Sequence, residues 1–172
     1  MSMFKKLATG GIAVALAGTL LVAPFEGKVN KTYLDPILLV TSCFGHVSPD
    51  LKLGQTFTDD QCFDQLEKDL ALHDKQLLAL VHTPMNDFEH AAYLSFIYNV
   101  GANTFSKSTL LKKLNNGDHV EACLELDKWT YAGKQKLVGL ERRRAAERQM
   151  CLGEAKITDK EILDVLKPPL PQ

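Results

Sequence analysis

The first 25 residues contain an uncharged stretch, Leu7–Phe25, that directly follows Lys5 and Lys6. A bilayer core requires about 20 apolar residues in a helix, so these 19 residues are barely long enough to cross it. Ten of the 19 are Gly, Ala or Thr, which gain little from contact with lipid. The stretch therefore predicts export across a membrane, with the two lysines holding the N-terminus in the cytoplasm.

Three fates of this export segment are compatible with its composition. A signal peptidase would cleave at the small residues Ala15-Leu16-Ala17, although the apolar region before that site is short. The Gly and Ala content disfavours a permanent anchor, whereas a transient anchor that later leaves the bilayer fits the weak hydrophobicity best. A buried amphipathic helix of a cytosolic protein is disfavoured because the stretch has no polar face.

The rest of the chain differs in charge from this segment. Residues 1–25 hold two of the 20 basic residues and no acid, so the remainder carries 18 basic and 21 acidic residues, a net charge of −3. This balance excludes a dedicated nucleic-acid-binding protein, and 172 residues predict one globular domain. We expect an export segment (1–25), a folded domain (26–153) and a C-terminal tail (154–172).

The four cysteines are consistent with an exported protein. Cys43, Cys62, Cys123 and Cys151 contain no CxxC pair, and no histidine stands at the spacing of a zinc finger. In an oxidising compartment they would form up to two disulfides, and three pairings are open. Buried reduced thiols are the alternative. Neither a metal site nor a cofactor is indicated.

Residue patterns predict an α+β domain that is mostly α. Residues 31–54 are rich in β-branched, aromatic and turn residues, which indicates a hairpin or three short strands. A Thr58-x-x-Gln61 capping box predicts the start of a long helix. Helices are expected at about 59–80, 88–100, 107–115, 118–130 and 139–151, with a last one from the Thr158-x-x-Glu161 box. A small β lobe and a helical lobe joined by the long helix would form a cleft suited to an extended substrate.

Two carboxylates and a hydroxyl follow the export segment with the spacing E-x8-D-x5-T, at Glu26, Asp35 and Thr41. Glycoside hydrolysis requires one protonated carboxyl group that donates to the leaving oxygen and a second that activates water or stabilises the transition state. A threonine hydroxyl is able to hold that water against Asp35. The spacing alone is weak evidence, since isolated carboxylates are usually surface residues.

Several further motifs occur in a fixed order around this triplet. They are Glu26-Gly27, Tyr33-Leu34-Asp35, Thr41, Phe44-Gly45-His46, SFIYNVGA at 95–102, Phe105, STLL at 108–111, WTYAG at 129–133 and GLERRRAAER at 139–148. Together they resemble the phage lysozymes, or endolysins, of glycoside hydrolase family 24. An apolar segment that directly abuts the catalytic glutamate resembles the signal-arrest-release branch of that family.

The resemblance implies a two-lobed lysozyme-like fold and a muramidase. It matches Glu26 to the catalytic acid, Asp35 to the carboxylate that positions water, and Thr41 to the third member of the site. The implied reaction is hydrolysis of the β-1,4 bond between N-acetylmuramic acid and N-acetylglucosamine in peptidoglycan, with inversion as the expected outcome.

Three positions depart from the family pattern. Leu38 stands where the family has glycine in the turn after the catalytic aspartate, and a turn that requires positive φ would be strained by leucine. Val40 replaces a tryptophan that is frequent in exported relatives, and Lys134 replaces the second glycine of an Ala-Gly-Gly loop. These changes affect the expected geometry of the hairpin and leave the chemical groups in place.

Other candidate residues have structural explanations. We expect His46 to be structural, and Phe96, Tyr98 and Trp129 to lie in the core rather than form sugar platforms. The basic stretch 134–148 fits a solvated helix face with i,i+4 pairs, or a surface attracted to anionic wall polymers. One of three arginines, Arg142, Arg143 or Arg144, is expected to pair with Glu26 across the cleft.

The sequence thus predicts a monomeric endolysin that is held at the periplasmic face of the host inner membrane by residues 7–25 and then released to the periplasm. While that segment lies in the bilayer, Glu26 would be kept away from Asp35. Release would let the segment join the domain as a helix and complete the site. The alternatives are a non-catalytic wall-binding protein with a lysozyme fold and a lytic transglycosylase, which forms an anhydro product without water.

Overall fold

The structure, a computed structural model, describes residues 11–35 and 37–157. Its first element is a continuous helical segment made of α1 (Ile12–Leu16), a π-helical stretch (Ala17–Val22) and α2 (Ala23–Glu26). The Thr19 hydroxyl donates to the Ala15 carbonyl at 2.6 Å, a bond within the helix that satisfies its buried oxygen. Nearly all of residues 13–22 are buried in the core of the domain.

The N-terminal helical segment forms part of the hydrophobic core of the domain. The buried side chains Val14, Leu16, Leu21 and Val22 belong to the same hydrophobic cluster as the central helices. Within the part of the chain that the structure describes, no helix is both long enough and apolar enough to cross a membrane.

A small antiparallel sheet follows in the order β1-β2-β3, with strands Val29–Leu34, Val40–Cys43 and His46–Val47. In the β1–β2 pair Tyr33 lies opposite Thr41, and an irregularity interrupts the register between Val29 and Tyr33. The predicted β lobe is therefore confirmed, although its first strand begins two residues before the expected boundary.

Helix α3 (Asp59–Leu80) is the predicted long helix. The Thr58 hydroxyl accepts from the Gln61 amide at 3.2 Å, and the Gln61 side chain accepts from the Thr58 amide at 2.8 Å, so the capping box is formed. Its buried face consists of Cys62, Leu66, Leu70 and Leu77. The spacing of these residues is that of one face of an α-helix, which is why the sequence pattern identified it.

Helix α4 (Asp87–Val100) lies at the centre of the helical lobe. Every residue from Ala91 to Ile97 is buried, because α1, the π-helical stretch and α3 pack around it together with the last helix. Asn86 caps its N-terminus through the amides of Phe88 and Glu89, and Gly101 ends it at φ 80°. The predicted central helix is confirmed.

The remaining elements are α5 (Ala102–Ser106), α6 (Thr109–Asn115), α7 (His119–Glu125), a 3₁₀ turn (Leu126–Lys128), the hairpin strands β4 (Tyr131–Ala132) and β5 (Gln135–Lys136), and α8 (Val138–Cys151). Two details differ from the predicted helices. The chain makes the separate short helix α5 before Ser108 caps α6, and the 118–130 helix ends earlier, in the 3₁₀ turn. The small hairpin at 131–136 was not predicted, and the expected helix from Thr158 lies outside the described residues.

Two disulfides resolve the pairing that the sequence left open. Cys43 bonds to Cys62, which ties β2 to α3, and Cys123 bonds to Cys151, which ties α7 to α8. The alternative of buried reduced thiols is wrong for this structure. Closing loops of this length stabilises a fold by about 3 kcal/mol each in the chain-entropy account.

Candidate active site

Glu26 is the last residue of α2, where Gly27 at φ 69° redirects the chain into the β lobe. Its Oε1 atom accepts a hydrogen bond from Arg143 Nη1 at 2.5 Å. Its other oxygen lies close to the β2–β3 turn, since a Cβ atom on Gly45 would stand 3.5 Å from Oε2. The carboxyl group therefore lies between α8 and the β lobe, with 21% of its side chain exposed.

Arg143 is thus the arginine that pairs with Glu26. Arg144, one residue further along α8, donates instead to Glu147 and to Asn99, and Arg142 is exposed. The i,i+4 pair expected on this helix exists between Arg143 and Glu147, at 3.1 Å. It is buried rather than solvated, because this face of α8 packs on α4.

Glu147 is the centre of a buried polar cluster behind Glu26. Its Oε1 accepts from Ser95 Oγ at 2.7 Å and from Arg143 Nε, and its Oε2 accepts from Arg144 Nη1 at 2.5 Å. Arg143 Nη2 also donates to the Ser95 carbonyl at 3.2 Å. All three guanidinium nitrogens of Arg143 are therefore used: Nη1 binds Glu26, while Nε and Nη2 fix the side chain to Glu147 and Ser95.

Asp35 follows β1 and organises the β1–β2 turn. Its Oδ1 accepts from the amides of Ile37 and Leu39, each at 2.9 Å, and its backbone carbonyl accepts from Leu38 at 2.9 Å. The carboxylate is half-buried and its position is fixed by the backbone of the turn.

Leu38 occupies this turn at φ 65°, the left-handed region that favours glycine. Leu38 therefore adopts the left-handed backbone conformation that the glycine of the family pattern would adopt. The Leu38 side chain is 74% exposed, so no packing within the domain offsets the strain. The hairpin carries a local cost, of order 1 kcal/mol, at a residue that lies between Asp35 and Thr41.

Thr41 lies on β2, directly opposite Tyr33 of β1. It is 3% exposed, and its hydroxyl donates to the Leu39 carbonyl at 3.2 Å. The donated hydrogen fixes the hydroxyl so that its lone pairs are left to accept. Thr41 and Asp35 thus share a hairpin and are linked through Leu39, whose amide binds Asp35 and whose carbonyl binds Thr41.

Tyr33 connects the two carboxylates electrostatically. Burial raises the pKa of the Tyr33 phenol, and the negative charges of Glu26 and Asp35 raise it further. Tyr33 therefore lies close enough to the glutamate of α2 and to the aspartate of the hairpin for both charges to act on its phenol. Tyr33 was part of a recognised motif, but its placement was not predicted.

Tyr98 of α4 links the helical lobe to the β2–β3 turn near Glu26. Its hydroxyl donates to the Phe44 carbonyl at 2.9 Å, and burial, together with the charges of Asp69 and Glu26, raises the pKa of this phenol. His46 Nδ1 lies 2.8 Å from Asp69, which agrees with the structural role expected for it. Phe96 is buried and meets Trp129 edge-on at 5.3 Å, so these aromatic rings contribute to the core as predicted.

A cavity of about 460 Å³ opens beside Glu26. Its lining consists of Phe25, Glu26, Asn99, Leu137, Val138, Gly139, Leu140 and Arg143. An apolar wall with a few convergent polar groups is typical of a ligand-binding cleft. Within residues 11–35 and 37–157, no group of three or more His, Cys, Asp or Glu side chains is arranged to hold a metal ion.

Comparison with known proteins gives a consistent result. The phage lysozyme family model matches residues 23–147. The SAR-endolysin of Bacteriophage PS119 is 39% identical over 150 residues, which cover 84% of this chain and 90% of that protein. The family resemblance found in the sequence motifs is confirmed.

Solved structures agree on the fold. The muramidase domain of SpmX from Asticaccaulis excentricus is 31% identical, with a TM-score of 0.73 over 79% of this chain and 95% of that one. The active form of the P1 phage endolysin Lyz is 24% identical and superposes with a TM-score of 0.76 over 89% of this chain and 94% of that one. The secreted inactive form of Lyz is 23% identical and has a TM-score of 0.55 over 80% of this chain and 94% of that one. The predicted fold class, a mostly helical lysozyme-like domain with small antiparallel sheets, is confirmed. Because the family model matches most of the chain and the PS119 relative is 39% identical over 84% of it, the chain belongs to the phage lysozyme family.

Proposed function

We propose that this chain is an endolysin that hydrolyses the β-1,4 bond between N-acetylmuramic acid and N-acetylglucosamine of bacterial peptidoglycan and so lyses the host. The observation that carries this proposal is the position of Glu26. Glu26 lines a cavity, its carboxyl group binds Arg143, and its charge acts on the same tyrosine as that of Asp35.

In the proposed mechanism Glu26 is the general acid. Protonated Glu26 donates its proton to the glycosidic oxygen as the bond to the leaving sugar breaks, and positive charge develops at the anomeric carbon. Asp35 and Thr41 hold the attacking water on the opposite face of the sugar, Asp35 accepting its proton. The hydrogen bonds that Asp35 and Thr41 make with Leu39 support these roles, because they fix both side chains on one turn.

Residues 7–25 would hold the protein at the periplasmic face of the inner membrane before release into the periplasm. The proposal is supported by the position of Leu16, Leu21 and Val22, which are buried in the folded domain. Because a segment cannot lie in the bilayer and in this core at once, the membrane-bound chain lacks the packing of the segment that places Glu26 beside Arg143. The released enzyme is expected to act as a monomer, without metal or cofactor.

Turbidity loss of purified peptidoglycan by the folded protein tests the reaction. We expect Glu26→Gln to reduce the initial rate by at least about 100-fold, because the amide cannot donate a catalytic proton. Glu121→Gln, which changes an equivalent carboxylate that is 61% exposed on α7, is the matched control and should retain full activity. Equal rates for Glu26→Gln and wild type would overturn the assignment.

Mass analysis of the released fragments identifies the reaction type. Hydrolysis adds one water and leaves a reducing N-acetylmuramic acid end, whereas a transglycosylase leaves a 1,6-anhydro end that is lighter by one water. We expect the hydrated product. An anhydro product that still depends on Glu26 would retain the acid role of Glu26 and contradict the water-positioning role of Asp35 and Thr41.

A further inference from the structure

Glu147 is a completely buried carboxylate that shares Arg143 with Glu26. We propose that Glu147 is a positioning residue: it holds Arg143 against Glu26 and neutralises part of the arginine charge, which weakens the bias that Arg143 imposes toward the ionised form of Glu26. This inference rests on the proposed role of Glu26 as general acid.

The geometry makes Arg143 a bridge between two carboxylates. Its Nη1 binds Glu26, its Nε binds Glu147, and its Nη2 binds the Ser95 carbonyl. Glu26 is partly open to solvent, with 21% of its side chain exposed, whereas Arg143 and Glu147 are 4% and 0% exposed. Glu26, the proposed acid, thus binds Arg143 from the solvent side, and buried Glu147 fixes the position of the Arg143 side chain from the interior.

The charges of the cluster explain why a carboxylate stands at this position. Guanidinium groups only donate hydrogen bonds, so buried Arg143 and Arg144 both require acceptors. Without Glu147 the charge of Arg143 would act on Glu26 alone, and a protonated Glu26 would face an uncompensated cation. That arrangement favours the ionised form of Glu26, which cannot serve as an acid.

Opposing effects act on Glu147 itself. Burial raises the pKa of Glu147, while Arg144, Arg143 and the hydrogen bond from Ser95 lower it. Burial also lowers the pKa of Arg144, and the negative charge of Glu147 opposes this shift. Because three donors converge on the two oxygens, the carboxylate is the form that satisfies them.

Other elements around the cluster contribute further charges and polar groups. The titratable or charged groups that interact with Glu26 are Arg143 and Arg144 of α8, Tyr33 of β1 and Tyr98 of α4. Asp35 after β1 acts on the same Tyr33, and Asp69 of α3 acts on the same Tyr98. Glu147 faces Arg143, Arg144 and the Ser95 hydroxyl. The described part of the N-terminal segment before Glu26 supplies no charge. Arg143 is the cation through which Glu147 acts on Glu26.

The pH dependence of peptidoglycan hydrolysis separates this role from simple structural support. In Glu147→Gln we expect the alkaline midpoint of the activity profile to move to lower pH by about one unit, because Arg143 loses its compensating charge. In Arg144→Met the midpoint should move to higher pH, since a cation that acts on Glu26 is lost and Glu147 is left to neutralise Arg143 alone. Glu147→Asp keeps the charge, so its midpoint should stay near that of wild type while kcat falls several-fold through poorer positioning.

Two controls isolate the electrostatic effect. Ser95→Ala removes one neutral hydrogen bond from Glu147 and should leave the alkaline midpoint in place. Glu125→Gln removes another buried carboxylate, which is paired with Lys113 and Lys128 and makes no contact with the Glu26 cluster, and its profile should match wild type. Urea unfolding of every variant establishes that each is folded under assay conditions.

The downward shift in Glu147→Gln, absent from Glu147→Asp, is the decisive result. An unchanged midpoint in Glu147→Gln, or an equal shift in Glu147→Asp, would overturn the inference. If Glu147→Gln fails to fold, Arg144→Met and Glu147→Asp still provide the test. Glu26→Gln distinguishes the two claims: full hydrolysis by that variant contradicts the role of Glu26, whereas unmoved profiles contradict only the role of Glu147.

Discussion

Arg143 Nη1 lies 2.5 Å from Glu26 Oε1, which joins residues 117 positions apart in the chain. Glu26 ends the N-terminal helical segment, and Arg143 lies in the first half of α8. The contact exists only when both helices pack on α4. The position of Glu26, the proposed acid, therefore depends on the folding of the segment that precedes it.

Arg143→Lys should reduce kcat/KM on peptidoglycan fragments by about 10- to 100-fold, because one ammonium group cannot replace donors to Glu26, Glu147 and the Ser95 carbonyl together. Steady-state kinetics on a soluble glycan measures this change. Arg142→Lys on the exposed face of the same helix is the control and should act like wild type. Full activity in Arg143→Lys would mean that the bridge is dispensable.

Leu38→Gly should stabilise the protein by about 1 kcal/mol, since glycine adopts the φ of 65° found there without strain. The midpoint of urea unfolding would rise accordingly. Leu53→Gly, at an exposed leucine without positive φ, supplies the comparison and should destabilise through backbone entropy. A loss of stability in Leu38→Gly would show that the exposed leucine makes a favourable contact instead.

The two disulfides should differ in their effect on activity. Replacing either pair with alanines is expected to cost about 3 kcal/mol of unfolding free energy. Only loss of Cys43–Cys62 should also lower kcat in the folded protein, because Cys43 directly precedes Phe44 and Gly45, which meet Tyr98 and Glu26. Equal kcat values for the two folded double variants, measured below their unfolding temperatures, would contradict this distinction.

Acid should weaken the ion pairs of Glu125 with Lys113 and Lys128. These contacts lower the pKa of Glu125 in the folded protein, so its stabilising contribution is present above the unfolded pKa of about 4.3 and is lost as the pH falls. The unfolding free energies of wild type and Glu125→Gln should therefore differ most near neutral pH and converge below about pH 4. A constant difference between the two across this range would refute the assignment.

A more apolar N-terminal segment should trap the protein in the membrane. Replacing Ala8, Thr9 and Gly10 with leucine raises the hydrophobicity of the predicted anchor before the first described residue, Gly11. We expect this variant to stay in the membrane fraction and to lose lytic activity in cells. The same positions changed to serine serve as the control, and rapid lysis by the leucine variant would oppose the release hypothesis.

The elements that the sequence predicted well are those with local signals. The Thr58 capping box and the spacing of Cys62, Leu66, Leu70 and Leu77 identified α3 with its observed bounds. The mostly apolar run from Phe88 to Val100 identified the central helix α4. In both cases a pattern within about 20 residues determines the local structure.

The cluster behind Glu26 had no such signal. Arg143, Arg144 and Glu147 have the pattern of a solvated helix face, and they are buried only because Ser95 and Asn99 of α4 meet them. A charged residue in a core requires partners that are distant in sequence, so local patterns cannot reveal it. The pairing of the cysteines and the choice of Arg143 depended on the tertiary structure for the same reason.

The most direct test of the account compares peptidoglycan hydrolysis per molecule in the membrane and soluble fractions of the same cells, with N-terminal sequencing of the soluble form. We predict an active soluble protein that begins at Met1 or Ser2, and a membrane-bound form with little activity. A membrane fraction that is equally active, or a soluble form that begins at Gly18, would contradict the claim that release of the intact segment completes the site around Glu26.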